Sequence, residues 1–145
     1  MVTLHAESIF VGVDVHKYGH TAVALDSFGQ ERGKLDFSND NLGVYIDWLL
    51  SFGLKQNIIV GLEDVTSYGT FLVKELRKEN FHIRYIPAIL TERERKSSTK
   101  QHKSDSVDAK RVGKVILTKY EDTLPAKESI ASVTELKTTQ SLDLL

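Results

Sequence analysis

Two short apolar runs in this chain each close on a carboxylate. Ile9-Phe10-Val11-Gly12-Val13 leads into Asp14, and Ile58-Ile59-Val60-Gly61-Leu62 leads into Glu63. Apolar runs of this length, bounded by polar residues, read as buried strands, and strand ends are where open α/β sheets place their sites. If the two strands are neighbours, about 4.8 Å apart, their carboxylates project into one crevice and repel each other unless a cation neutralises them. A carboxylate after an apolar strand can also cap the following turn. With two such strands the paired-site and turn-cap readings stand level.

The rest of the chain supplies the partners. His20–Asp26 is a second β-prone stretch, Ser27–Gln30 a turn, and Glu31–Phe37 a third strand, so the opening predicts an antiparallel meander. Ser38–Asn41 then offers N-cap residues for a helix carried by Leu42, Tyr45, Ile46, Leu49 and Leu50 and closed at Gly53. After the Glu63 strand come a helix around Tyr68–Glu79, a strand His82–Ile86 ending at Pro87, a polar stretch Thr91–Lys103, and a helix from about Asp105 to Tyr120. Strands alternating with helices in the second half predict parallel pairing there. The expected class is α/β, a mixed central sheet with three antiparallel strands followed by parallel strands, flanked by helices.

The chain is 145 residues long and 41% hydrophobic, enough for one core. It has no cysteine, which excludes disulfides, thiolate metal sites and a cysteine nucleophile, and fits a reducing cytoplasm. No apolar run approaches the roughly 18 residues that span a bilayer, and the start MVTLHAES lacks a signal-peptide pattern, so a soluble, cytoplasmic protein with no membrane partner is expected. The formal charge of −1 hides a segregation: Thr91–Lys119 holds nine Lys or Arg against four Asp or Glu, and the remainder is correspondingly acidic. Charge alone favours a solvated basic helix face. A basic arm of Arg93, Arg95, Lys96 and Lys100 could follow a nucleic-acid backbone, which gives affinity without sequence reading.

Asp105 and Asp108 stand three apart at the start of the last helix, hence on one face, and both can point at the crevice of Asp14 and Glu63. Taken alone, the helix macrodipole accounts for them. Four oxygen donors with no cysteine and no paired histidine match magnesium or manganese rather than zinc. Two such ions, about 4 Å apart, would suit phosphodiester chemistry. Alternation turns Asp64 to the opposite face or into a loop. His16 and Lys17, like His102 and Lys103, lie close enough in sequence to the acids to touch a phosphate, although surface His-Lys pairs are common. Tyr68 is read as packing on its helix, with a substrate contact as the lesser alternative.

The motifs VGVDVHK, GLEDVTSYG and KSDSVDAKR, in that order and at these intervals, together resemble the N-terminal domain of the DEDD transposases of the insertion-sequence 110 family. The similarity runs from about Ile9 to Leu117, including HTAVALDSFGQ after the first acid and the strand leading to IPA. It implies an RNase H-like, RuvC-related fold in which Asp14 is the first acid, Glu63 the second, and Asp105 with Asp108 the closing pair. These would bind magnesium, or manganese, and take part in DNA strand cleavage and exchange during transposition. Lys17, Arg93, Arg95, Lys96, Lys100 and Lys103 are the nucleic-acid-binding candidates. Full-length members also carry a coiled coil and a C-terminal domain with a serine nucleophile, and bind an element-encoded guide RNA; a homo-oligomer is expected of the full-length protein. None of Ser129, Ser132 or Ser141 matches the serine motif, and SVTELKTTQSLDLL looks like the start of the coiled coil. The expectation is therefore a transposase domain over residues 1–120 and the beginning of a helical segment over 121–145, a fragment for which metal or nucleic-acid binding is a safer expectation than isolated recombination.

Two other classes compete. VGVDVHKYGHTAVALDSFG also looks like the opening of an actin-like sugar kinase or ATPase, but Lys17-Tyr18-Gly19 replaces the glycine-rich turn that cradles phosphate and the chain is short for two lobes. A non-catalytic RNase H-like domain that only scaffolds nucleic acid or another subunit is the third.

Overall fold

The computed structural model describes residues 4–63, 67–97 and 105–126. In chain order these form β1 (Ile9–Val15), β2 (His20–Leu25), β3 (Glu31–Phe37), α1 (Leu42–Leu50), β4 (Ile58–Leu62), α2 (Thr70–Lys78), β5 (His82–Tyr85), α3 (Ala88–Ser97), α4 (Asp105–Lys119) and β6 (Leu124–Pro125). One six-stranded sheet takes the order β3-β2-β1-β4-β5-β6. The first three strands pair antiparallel as a meander, and β1, β4 and β5 run parallel. The short antiparallel strand β6 completes the edge beside β5. Its two residues are too few for any periodicity to announce it.

Alternation assigns each strand residue to one of two cores. Ile9, Val11 and Val13 of β1 and Ile58, Val60 and Leu62 of β4 pack on the face covered by α1 and α2. Phe10 and Ile59 pack on the opposite face with Ala109, Val112 and Ile116 of α4. Asp14 shares the parity of Phe10, and Glu63 that of Ile59. The parallel register pairs Gly12 with Gly61 and Val13 with Leu62. One step further along that register Asp14 stands beside Glu63, both on the α4 side.

Helix α4 comes unusually close to this face because two glycines lie beneath it. A β-carbon at Gly12 would sit 2.0 Å from the carbonyl oxygen of Ala109, and one at Gly61 would sit 2.4 Å from Ile116 Cδ1. Each glycine precedes its carboxylate by two residues, so glycine and acid share a face. Ala109, Val112, Gly113 and Ile116 form the buried stripe of the helix, and burial of Val112 and Ile116 contributes about 1.5–3 kcal/mol each. Asp105 and Asp108 lie one turn before Ala109 and Val112 and extend that stripe past the apolar core toward the strand ends.

The polar stretch Thr91–Lys103, given no element from the sequence, is helical as far as Ser97, as part of a helix that starts at Ala88. Its Ala, Leu, Glu, Arg and Lys residues are strong helix formers, yet near its start only Leu90 and Thr91 are buried, so no apolar stripe betrays it. The second helix begins at Thr70, two residues after Tyr68. Asp64, Lys100, His102, Lys103 and the tail from residue 127 lie outside the described residues. Among the described residues no helix is long and apolar enough to cross a membrane.

Candidate metal centre

The end of β1, the end of β4, α3 and the first turns of α4 enclose a cleft of about 340 Å³. Asp14, Glu63 and Asp108 line it together with Glu92, and Arg95 and Arg111 supply its cations. Three of the four acids singled out in the sequence thus reach one cavity. Asp105, whose side chain is 63% exposed, stands at its outer side and is joined to Asp14 through a histidine.

That histidine is His16. Its Nε2 lies 2.8 Å from Asp14 Oδ2 and 3.2 Å from Asp105 Oδ1. Carboxylates only accept, so Nε2 carries the proton in this arrangement. The β1–β2 turn fixes the ring's position: the backbone N–H of His16 donates to His20 Nδ1 at 3.3 Å, and His20 Nε2 donates to Asn39 Oδ1 at 2.9 Å. One ligand atom each from Asp14, His16 and Asp105 fall within 4.8 Å of one another, a spacing able to hold a metal ion. His16 was noted in the sequence for phosphate contact; its place between two carboxylates depends on the turn and was not legible there.

Burial raises the Asp14 carboxyl from 3.8 to about 6; hydrogen bonding to His16 opposes the rise and the charges of Asp108 and Asp105 add to it. The hydrogen bond to Asp14 raises His16 in turn, against a smaller effect of burial. Elsewhere in the cleft the acids have internal partners. Arg111 Nη1 donates to Asp108 Oδ1 at 3.0 Å from a side chain that is only 7% exposed. Thr91, itself buried, donates its hydroxyl to Glu63 Oε1 and also lies 3.0 Å from the Ala88 carbonyl oxygen. Arg95 sits 3.7 Å from Glu92.

Thr91, Glu92 and Arg111 were missed in the sequence. Arg111 had a signal: it falls three residues after Asp108 on the otherwise apolar buried face of its helix. Thr91 and Glu92 had none, because α3 itself was not foreseen. Of the basic candidates, Arg93 and Lys96 are exposed on α3 while Arg95 turns into the acidic cleft. Lys17 lies in an adjoining groove, its Nζ 5.2 Å from the centroid of the Tyr18 ring. Tyr68 lines the same groove and is 49% exposed rather than packed away.

The donor set is oxygen-rich with one imidazole, which suits a hard divalent cation. No curated protein matches the chain. A family model described as a transposase, that of the DEDD transposases of the insertion-sequence 110 family, matches residues 11–143. The six-stranded mixed sheet with helices on both faces accords with the RNase H-like fold of these transposases. The match covers nearly the whole chain and includes Asp14, Glu63, Asp105 and Asp108, and the chain therefore belongs to the DEDD transposases of the insertion-sequence 110 family, enzymes that act on DNA.

Proposed function

We propose that this domain carries out metal-dependent cleavage and exchange of DNA strands during transposition of an insertion sequence, with Asp14, Glu63, Asp105 and Asp108 as its acidic residues. The observation that carries the reading is the shared cleft of Asp14, Glu63 and Asp108, with Asp105 tied to Asp14 through His16. The residues fit magnesium or manganese: Asp14 is a half-buried carboxylate among like charges, and its charged form needs a cation nearby. When bound, such an ion supplies Lewis-acid activation of oxygen and neutralises charge on a phosphodiester.

The chain's own residues do the positioning. Thr91 orients the Glu63 carboxylate, and Arg111 holds Asp108 against the wall of the cleft. His16 keeps a proton between Asp14 and Asp105, the two carboxylates that, with the imidazole itself, would hold the metal. Arg93 and Lys96, with Lys17, Lys100 and Lys103, contact the DNA backbone. The catalytic unit, read from the sequence as ending at residue 120, takes in β6 as well, because Leu124–Pro125 pairs with β5 and Ala126 packs in the core. The same reading takes an element-encoded guide RNA and further copies of the protein as partners, and the cytoplasm as the place of action.

Manganese binding, read by calorimetry and by electron paramagnetic resonance, tests the proposal. The wild-type chain binds manganese, and Asp14→Asn weakens binding by roughly tenfold or more, within the range seen when ligands or their supports are lost. Binding unchanged in Asp14→Asn and Asp108→Asn alike would leave a non-catalytic scaffold as the better account.

A further inference from the structure

Beside the acidic cleft runs a second, larger groove of about 700 Å³, and its chemistry is different. The two adjoin, since Val15 lines both and His16 in this groove bonds Asp14 in the cleft. Its other prominent features are two exposed aromatic rings. Tyr18, at the β1–β2 turn, is 84% exposed, and Tyr68, ahead of α2, is 49% exposed. A single exposed aromatic is ordinary on a protein surface. Two that line one groove, with the Lys17 ammonium 5.2 Å from the Tyr18 ring, repeat the ingredients by which proteins hold unpaired nucleotides: aromatic faces for bases and a cation for the backbone.

We propose that Tyr18 and Tyr68 are stacking platforms for unpaired bases of the DNA strand being processed. The inference rests on the DNA-processing reading for the identity of the strand. The charge of the groove favours a base over a phosphate inside it, because Asp36 and Asp105 both line it. Thr21 donates to Asp36 at 2.8 Å, which fixes that carboxylate as a hydrogen-bond acceptor facing the groove, suited to amino groups on base edges and repellent to phosphate. Lys17 at the turn is left to meet the backbone. Paired bases are stacked on each other inside a duplex and cannot use the rings, so the groove selects a strand that has been locally opened. Deoxyribose strands are the occupant because the groove ends at the acids of a DNA-acting enzyme.

The test compares a short single-stranded DNA oligonucleotide of mixed sequence with its own duplex, by fluorescence anisotropy in the presence of EDTA. Tyr18→Ala and Tyr68→Ala each weaken binding of the single strand by roughly five- to hundredfold, with duplex binding within about twofold of wild type. Tyr18→Trp and Tyr68→Phe retain it, since a ring and not a hydroxyl is required. Unchanged single-strand affinity in both alanine variants overturns the proposal, as does an equal loss on the duplex or a preference for RNA of the same sequence. Failure of the metal reading shows separately, as manganese binding that Asp14→Asn leaves intact while the tyrosine variants still lose the single strand.

Discussion

Gly12 of β1 lies directly under Ala109 of α4, so close that an added β-carbon would stand 2.0 Å from the Ala109 carbonyl oxygen and 2.4 Å from the Gly113 nitrogen. Both neighbours are backbone atoms of a helix and cannot rotate aside. Gly12→Ala therefore lifts α4 from the sheet, and with it Asp105 and Asp108. The expected cost is about 3 kcal/mol or more, a fall in Tm of roughly 10 °C, with weaker manganese binding in whatever remains folded. Gly43→Ala is the control, because a β-carbon there meets nothing within 4 Å. A Gly12→Ala variant as stable as Gly43→Ala would show that the helix does not depend on this close approach.

The acid cluster makes metal affinity depend on pH in a defined direction. Burial places the Asp14 carboxyl at about 6 against 3.8 when unfolded, so the fold favours its protonated form. In metal-free protein that contribution is fully present below 3.8 and is lost as pH rises through about 6. His16, also raised, adds a contribution of the same sign that is present below 6.5 and lost above it. A bound cation reverses the preference, because it requires the carboxylate. Manganese affinity should climb by roughly tenfold per pH unit below about 6 and level off above the His16 transition. Melts in EDTA should show wild type losing stability relative to Asp14→Asn over the same interval. An affinity constant from pH 5 to pH 7, measured by calorimetry, contradicts the assignment.

What could be read from the sequence was whatever period and adjacency encode. The two acids were legible because each ends an apolar run, and their common face follows from parity with Gly12 and Gly61. The meander and the parallel strands followed from turn residues and from the change of period after Phe37. Helix α3 was not legible, since a helix touching the core mainly through Leu90 and Thr91 has no stripe to detect. With α3 went Thr91 and Glu92, whose place in the cleft is a matter of how that helix crosses the strand ends. His16 illustrates the other limit: its position between Asp14 and Asp105 requires residues 89 apart in the chain to meet, which no local pattern reports.

Arg111 is the one buried cation in the described part of α4, and its partner Asp108 faces a cleft that already holds three other carboxylates. Arg111→Leu keeps the bulk but leaves those acids short of an internal positive charge. Because Asp108 is about one-third exposed, the loss falls below that of a fully buried pair, about 1–3 kcal/mol in urea melts with EDTA. Added manganese should close much of that gap, since it restores the missing charge. Destabilisation of the same size with and without manganese would mean that Arg111 serves packing alone.

Thr91 offers the sharpest separation of positioning from folding. Its hydroxyl donates to Glu63 Oε1, and the side chain is buried between α3 and the end of β4. Thr91→Val preserves the branched shape and removes the donor, so α3 keeps its packing while Glu63, whose residue is otherwise exposed, regains free rotation. Stability should change by about 1 kcal/mol. Manganese affinity should fall by roughly tenfold, the range seen when a group that orients a ligand is lost. Thr91→Ser keeps the hydroxyl at the cost of a methyl group and should restore the affinity while losing slightly more stability. The crossed pattern, one variant weak in metal and the other in packing, is what a positioning role requires; parallel losses in both would assign Thr91 to the core and leave Glu63 oriented by other means.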